Sequence, residues 1–200
     1  MNILWITNIP IADIAQKLNN KNGVWMDALL SHLRGNKNNK YTIVTTWNVK
    51  TTEKLVVDNV SYYLIPGGYP VHYSRRKEDA KKDWNAIFEA EKPSIIQVWG
   101  TEFAHPVTAL ELARERKIPS VIYIQGIMKA IAKYATGGVD RRTMLRYITL
   151  RDIYRRQLWI RQNKWFSKRA RTEEKIIGLS NCVIVENKWA EMYFRIKSVI

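Results

Sequence analysis

Three stretches of this sequence carry side chains suited to binding chemistry, and each follows an apolar run that reads as a strand. The first is the polar loop from Asn8 to Gly23. The second is Trp99-Gly100-Thr101-Glu102, with His105 three positions further on, and the third is Gln125-Gly126. The Glu102 carboxylate only accepts hydrogen bonds, the Thr101 hydroxyl and the Gln125 amide both donate and accept, and His105 can titrate near neutrality. Each residue also has a plain reading: a helix-capping Thr beside a solvated Glu, a core Trp, a surface histidine, a loop glycine.

The missing motifs narrow the chemistry. No G-x-G-x-x-G follows the first strand, and there is no G-x-x-x-x-G-K-[ST], H-E-x-x-H or G-x-S-x-G, so dehydrogenase, P-loop and common hydrolase readings lose their support. No Asp-x-Asp is present, which makes metal-dependent chemistry unexpected. The single cysteine, Cys182, excludes an internal disulfide and a cysteine zinc cluster, and it suits a reducing cytoplasm.

The elements that would position these loops follow from hydropathy. Asn2–Thr7 is a nearly continuous apolar run, the mark of a strand buried on both faces. Trp25, Ala28, Leu29, His32 and Leu33 then fall on one helical stripe that Gly35 can end, with His32 read as packing. Tyr41–Trp47 is β-branched and aromatic, and Leu55–Val57 and Val60–Ile65 flank an Asp58-Asn59 turn. Ala80, Trp84, Ile87, Phe88 and Glu91 keep helical spacing up to Pro93. Ile95–Val98 reads as a strand, Pro106 to about Arg116 as a helix, Val121–Ile124 and Cys182–Val185 as strands, and Trp189–Ile196 as a last helix. Strands and helices that alternate over short connections predict an α/β fold: a Rossmann-like open parallel sheet with helices on both faces. Residues 1–200 read as one domain, with all strand C-terminal ends on a single rim where ligands bind.

Charge is concentrated. The chain holds 33 Lys+Arg against 18 Asp+Glu, yet Arg141–Lys175 alone carries twelve basic residues against three acids. Leu145, Ile148, Trp159, Trp165 and Phe166 are interspersed without one clean stripe, so a single straight amphipathic helix is not expected there. The composition suits an anionic membrane surface, with Arg155, Arg156 and Arg161 as contacts, and equally a solvated helix face. It also suits a nucleic-acid-binding α/β domain, although no recognised module signature supports that rival. No signal peptide or membrane-spanning run is apparent.

The segments NILWITN…NGVWMDALLSHL, PSIIQVWGTEFAHP, IPSVIYIQG and NCVIVENKWAEMYF, in this order, resemble the N-terminal domain of family 4 retaining glycosyltransferases, which have the GT-B fold and belong to glycosyl transferases group 1. The resemblance implies a sugar moved from a nucleotide-sugar donor to a lipid-linked or polysaccharide acceptor, with no cofactor and no metal. It implies that Gly23 lies against the donor diphosphate at a helix start. Trp99, Gly100, Thr101, Glu102, His105, Gln125 and Gly126 become the acceptor-binding set, with Trp99 as a stacking face or core and His105 as a contact, a base or a surface residue. Gln97-Val98-Trp99-Gly100 stands where many members carry His-x-His-Gly, and Gln125 stands in place of a histidine. Of the Arg-Thr-x-Trp pattern near the end only Trp189 survives, which leaves Glu186 and Asn187 weakly supported. Members carry Glu-x7-Glu in a C-terminal nucleotide-binding domain, and no two glutamates here are so spaced. The expectation is therefore half of a GT-B enzyme, inactive alone, cytoplasmic and peripheral at the inner membrane face, its catalytic residues unknown. A partner-dependent, non-catalytic half enzyme is the other reading.

Overall fold

Alternate side chains of the first strand, β1 (Asn2–Thr7), enter two separate apolar layers, and the rest of the fold is built around that division. In a computed structural model, which describes residues 1–19, 24–154 and 159–197, Leu4 and Ile6 lie in one layer and Trp5 in the other, all three essentially without solvent exposure. Among the described residues β1 is central to a seven-stranded sheet. Its other strands are β2 (Lys40–Trp47), β3 (Glu53–Val57), β4 (Val60–Pro66), β5 (Ile95–Trp99), β6 (Ser120–Ile124) and β7 (Cys182–Val185), and the spatial order is β3-β4-β2-β1-β5-β6-β7. All pairings are parallel except β3 with β4, so β3 is the one strand whose C-terminal end leaves the expected rim. The cause is local. Asp58 adopts a left-handed backbone (φ 53°), which closes a tight hairpin before Val60, and a two-residue turn can join only antiparallel strands.

Helices cover both faces, giving the Rossmann-like α/β architecture. Helices α1 (Ala12–Lys17) and α2 (Val24–Leu33) pack on the Trp5 face through Ile14, Met26 and Leu30. The opposite face is covered by α3 (Lys77–Glu91), α4 (Pro106–Glu115) and part of α8 (Trp159–Leu179), through Trp84, Ile87, Phe88, Leu110, Ala113 and Ile176. Each of the larger of these side chains removed from water contributes about 1.5–3 kcal/mol. Between β6 and α8 lie α5 (Met128–Tyr134), α6 (Arg141–Arg146) and α7 (Leu150–Tyr154), and α9 (Lys188–Lys197) closes the described chain.

The stripe on α2 differs from the one expected. Met26 and Leu30 are buried, whereas Trp25, Ala28 and His32 are exposed, so His32 is not a packing residue. Asp27 explains the rotation: its Oδ1 accepts a 2.6 Å hydrogen bond from the backbone N–H of Ala12 at the start of α1. That bond turns the Asp27 side toward α1 and carries Trp25 outward. Among the described residues the basic stretch from Arg141 is likewise divided among three helices, as its broken apolar pattern predicts.

Candidate functional site

Strand order creates a crevice at the C-terminal ends of β1 and β5. From β1 the chain proceeds to β2 on one side, while β5, β6 and β7 extend on the other, so the loops after β1 and β5 diverge at the switch point where ligands of open α/β sheets bind. Asn8 follows β1 and Glu102 follows β5, and Asn8 Nδ2 donates a 2.6 Å hydrogen bond to Glu102 Oε2 across the crevice. Between them lies Gly100, held at φ +93°, a backbone most L side chains avoid. A Cβ there would run into both the Asn8 amide and the Glu102 carboxylate. The glycine is thus required twice, by its backbone angle and by the approach of the pair. Glu102 stays half-exposed, with Oε1 unbonded among the described residues.

The other residues singled out from the sequence divide. Thr101 has no solvent exposure, and its hydroxyl donates to Glu173 Oε2 at 2.9 Å, so it is already consumed. The same Glu173 oxygen accepts the backbone N–H of Met128 at 3.1 Å. Burial pushes the Glu173 carboxyl above the usual range, with these hydrogen bonds opposing. Thr101 and Glu173 therefore tie the β5 loop to α8 and the start of α5. His105 is no surface histidine. It is fully buried, Nε2 lies 3.1 Å from the Thr7 carbonyl and Nδ1 has no partner, an arrangement that assigns the ring proton to Nε2. Desolvation pushes its pKa down to about 4, against the raising effect of the Thr7 bond. Neither Thr101 nor His105 presents a free polar atom to a ligand here.

Trp99 is a core residue, 6% exposed, with edge-on contacts to Trp5 at 5.0 Å and Trp25 at 5.3 Å. The aromatic that reaches solvent is Trp25, 47% exposed above Trp99 and Tyr123. Gln125 is exposed at the end of β6. A Cβ on Gly126 would meet only an ordinary contact with Ile131, so no steric demand fixes that glycine. Glu186 accepts from the Tyr123 hydroxyl at 2.8 Å, and Asn187 Oδ1 accepts the Ala190 N–H at the start of α9, a capping role. Gly23, Arg155 and Arg156 lie outside the described residues, as does the side chain of Arg161.

Asn8, Trp25, Arg169 and Glu173 are members of the rim that sequence reasoning did not single out. Arg169 on α8 sits with its guanidinium carbon 4.3 Å from the Phe103 ring centroid, which anchors it beside the β5 loop. Among the described residues no group of three or more His, Cys, Asp or Glu could hold a metal ion. A cavity of about 730 Å³ opens between α8, β7 and α9, lined by Ile177, Val183, Val185 and Phe194, and it includes neither Asn8 nor Glu102.

No family model and no curated protein matches the sequence. Among solved structures the chain is similar to sucrose-phosphate synthase from Thermosynechococcus elongatus, with a TM-score of 0.54 and 13% identity over 97% of this chain and 44% of that one. It is also similar to apo UGT2 of Phytolacca americana, at a TM-score of 0.45 and 11% identity over 94% of this chain and 46% of the other. The chain spans less than half the length of either. At such identities the first likeness shows the fold, a Rossmann-like α/β domain, and selects no family within it; the second adds nothing to the argument.

Proposed function

We propose that the chain is the acceptor-side domain of a GT-B glycosyltransferase that moves a sugar, with retention, from a nucleotide sugar to a lipid-linked or polysaccharide acceptor. The observation that carries this reading is the Asn8–Glu102 pair spanning the switch point over a glycine that cannot be replaced without breaking it. A half-exposed carboxylate held by one oxygen suits a sugar hydroxyl, because the remaining oxygen is free to accept an O–H bond and the Asn8 bond fixes its direction. Trp25 supplies the flat apolar face that sugar rings stack on, beside the crevice and open to solvent. The fold, which matches one part of a sucrose-phosphate synthase, supports the same class. Glu102 is given a hydrogen-bonding role and no nucleophilic one, and the two-carboxylate logic of glycoside hydrolysis is not invoked.

Trp25→Ala in the parent enzyme is expected to raise the acceptor KM several-fold, with the nucleotide-sugar KM unchanged, since stacking contributes about 1 kcal/mol. Steady-state kinetics against each substrate separately checks this, and equal effects on both constants would remove Trp25 from the acceptor site.

A membrane-borne acceptor is supported by α6, α7 and the residues between them. Leu145, Tyr147, Leu150, Ile153 and Tyr154 are all exposed there, Tyr154 by 89%, among Arg142, Arg146 and Arg151. Among the described residues no helix is long and apolar enough to cross a membrane, so the contact would be interfacial. Each cation near an anionic surface contributes about 1 kcal/mol. Co-sedimentation with anionic vesicles is expected to fall sharply in a Leu150→Ser, Tyr154→Ser variant and in high salt. Unchanged sedimentation would return these helices to plain solvated surface.

A further inference from the structure

Arg169 is a cation with no ion-pair partner among the described residues. Its guanidinium is half-buried on α8, its carbon 4.3 Å from the centroid of Phe103 and 3.1 Å from that of Trp165, one turn back on the same helix. Its side chain forms no ion pair and no hydrogen bond among the described residues, although eleven other cations of the chain, most of them more exposed, are paired with carboxylates within 4.0 Å. Every Asp and Glu side chain of the sequence lies among the described residues, so none is left over to pair with it. Burial pushes its pKa down to about 10, with the nearby charge of Glu102 opposing, and it remains a cation at neutral pH.

Such an arrangement is costly unless something uses it. Taking a guanidinium partly out of water without a hydrogen-bonded partner is unfavourable, and cation–π contact returns only part of that cost. The rings do, however, hold the planar fork in one orientation while leaving its N–H donors unspent, and a guanidinium so held is matched to the paired oxygens of a phosphoryl group. Phe103 immediately follows Glu102, so the same short loop carries the hydroxyl-accepting carboxylate and half of the ring contact that fixes Arg169.

We infer that Arg169, fixed against Phe103 and Trp165 beside Glu102, is a phosphoryl-binding subsite, and that the acceptor is a phosphosugar that places a hydroxyl at Glu102 and its phosphate at Arg169. The inference rests on the proposed acceptor role of the crevice and names the class of acceptor. The charge of Glu102 reaches Arg169 but no ion pair within 4.0 Å joins the two, so the carboxylate oxygen and the guanidinium N–H groups both remain open to one ligand.

Calorimetric titration of the full chain tests it, with hexose 1-phosphate, the neutral methyl hexoside and inorganic phosphate as soluble probes, and vesicles containing phosphatidylinositol as the lipid-borne form. Arg169→Gln is expected to weaken hexose 1-phosphate roughly tenfold or more while leaving the methyl hexoside within about twofold, as loss of a charged hydrogen-bond partner does. Arg169→Lys, which keeps the charge but not the fork, is expected to fall between and controls for folding. Loss confined to the vesicles, or to the soluble phosphosugar, supports the subsite and identifies which source supplies the phosphate. Equal affinity of wild type and Arg169→Gln for every phosphorylated probe overturns it. If the methyl hexoside still binds in a Glu102-dependent way, only the phosphoryl subsite fails; if no sugar binds and Glu102→Gln changes nothing, the acceptor reading fails with it.

Discussion

Glu102→Ala in the parent enzyme is expected to lower kcat/KM by well over tenfold, more than ~1.4 kcal/mol of transition-state stabilisation, with the thermal midpoint nearly unchanged. The two halves of that expectation have separate causes. Activity falls because the half-exposed carboxylate is the rim group that can hold an acceptor hydroxyl in one direction, fixed there by the 2.6 Å bond from Asn8. Stability is spared because a half-exposed side chain at a strand-end loop, outside both apolar layers, contributes little to the core. Gly100→Ala gives the complementary result. Its Cβ would collide with both the Asn8 amide and the Glu102 carboxylate, and its φ of +93° would be strained by about 1–3 kcal/mol, so activity and stability should fall together. Asn8→Asp would set two carboxylates against each other and should cost activity like Glu102→Ala. Wild-type kinetics in Glu102→Ala, measured on soluble, folded protein, would make Glu102 a solvated surface carboxylate and remove the acceptor site from this crevice.

The strands were legible because each is an apolar run closed by a glycine, a proline or a polar loop, and continuous runs such as Asn2–Thr7 suit a sheet covered on both faces. Gly100 was legible as a strand end for the same reason. Which side chains of the rim turn outward was not. In α2 two overlapping stripes, one through Trp25 and Leu29 and one through Met26 and Leu30, both satisfy helical spacing. The choice between them is made by Asp27 and Ala12, which meet only in the folded chain. Thr101 and His105 look like binding residues by type, and their burial follows from partners 72 and 98 positions away, Glu173 and the Thr7 carbonyl. Arg169 was hidden among twelve basic residues of one segment, and what distinguishes it is its partial burial against Phe103, a ring far away in the sequence that no local pattern points to. The segments that carry the resemblance close on the loops that follow β5 and β6. Within the rim the ring open to solvent is Trp25 and not Trp99, and Asn8 is bonded to Glu102, neither of which a strand-end pattern encodes.

Buried His105 predicts that the native state weakens as pH falls from 7 toward 4. In the unfolded chain its imidazole takes a proton near its ordinary value of 6.5, whereas in the fold burial holds the pKa at about 4. Between those values the unfolded state binds a proton that the native state refuses, so stability is complete above about pH 6.5 and is lost progressively down to about pH 4. The linkage amounts to about 2 kcal/mol between pH 7 and pH 5 and roughly 3 kcal/mol in full, a sizeable part of the 5–15 kcal/mol typical of a domain. Among the described residues no charged group offsets it. The ring is flanked by Tyr73 and Phe103, whose centroids lie 6.2 and 6.5 Å away, and its one hydrogen bond goes to the Thr7 carbonyl. A proton on Nδ1 would therefore meet no acceptor. The carboxylates whose native values are lowered, among them Asp13, Glu91 and Glu111, weaken the fold further only as pH approaches their own ordinary range near 4, whereas buried Glu173, whose value is raised, acts in the opposite sense, so a loss between 6.5 and 5 is the histidine's. His105 also ties the β5 loop to the end of β1, and protonating it should loosen the crevice that brings Asn8 to Glu102, so acceptor affinity should fall over the same range. Urea denaturation at pH 7 and pH 5 measures the first effect. His105→Gln, which can still donate to Thr7 but cannot titrate, should be less stable at pH 7 yet lose much less than wild type on acidification. A drop of about 2 kcal/mol in both proteins would place the titrating group elsewhere and leave His105 as ordinary packing.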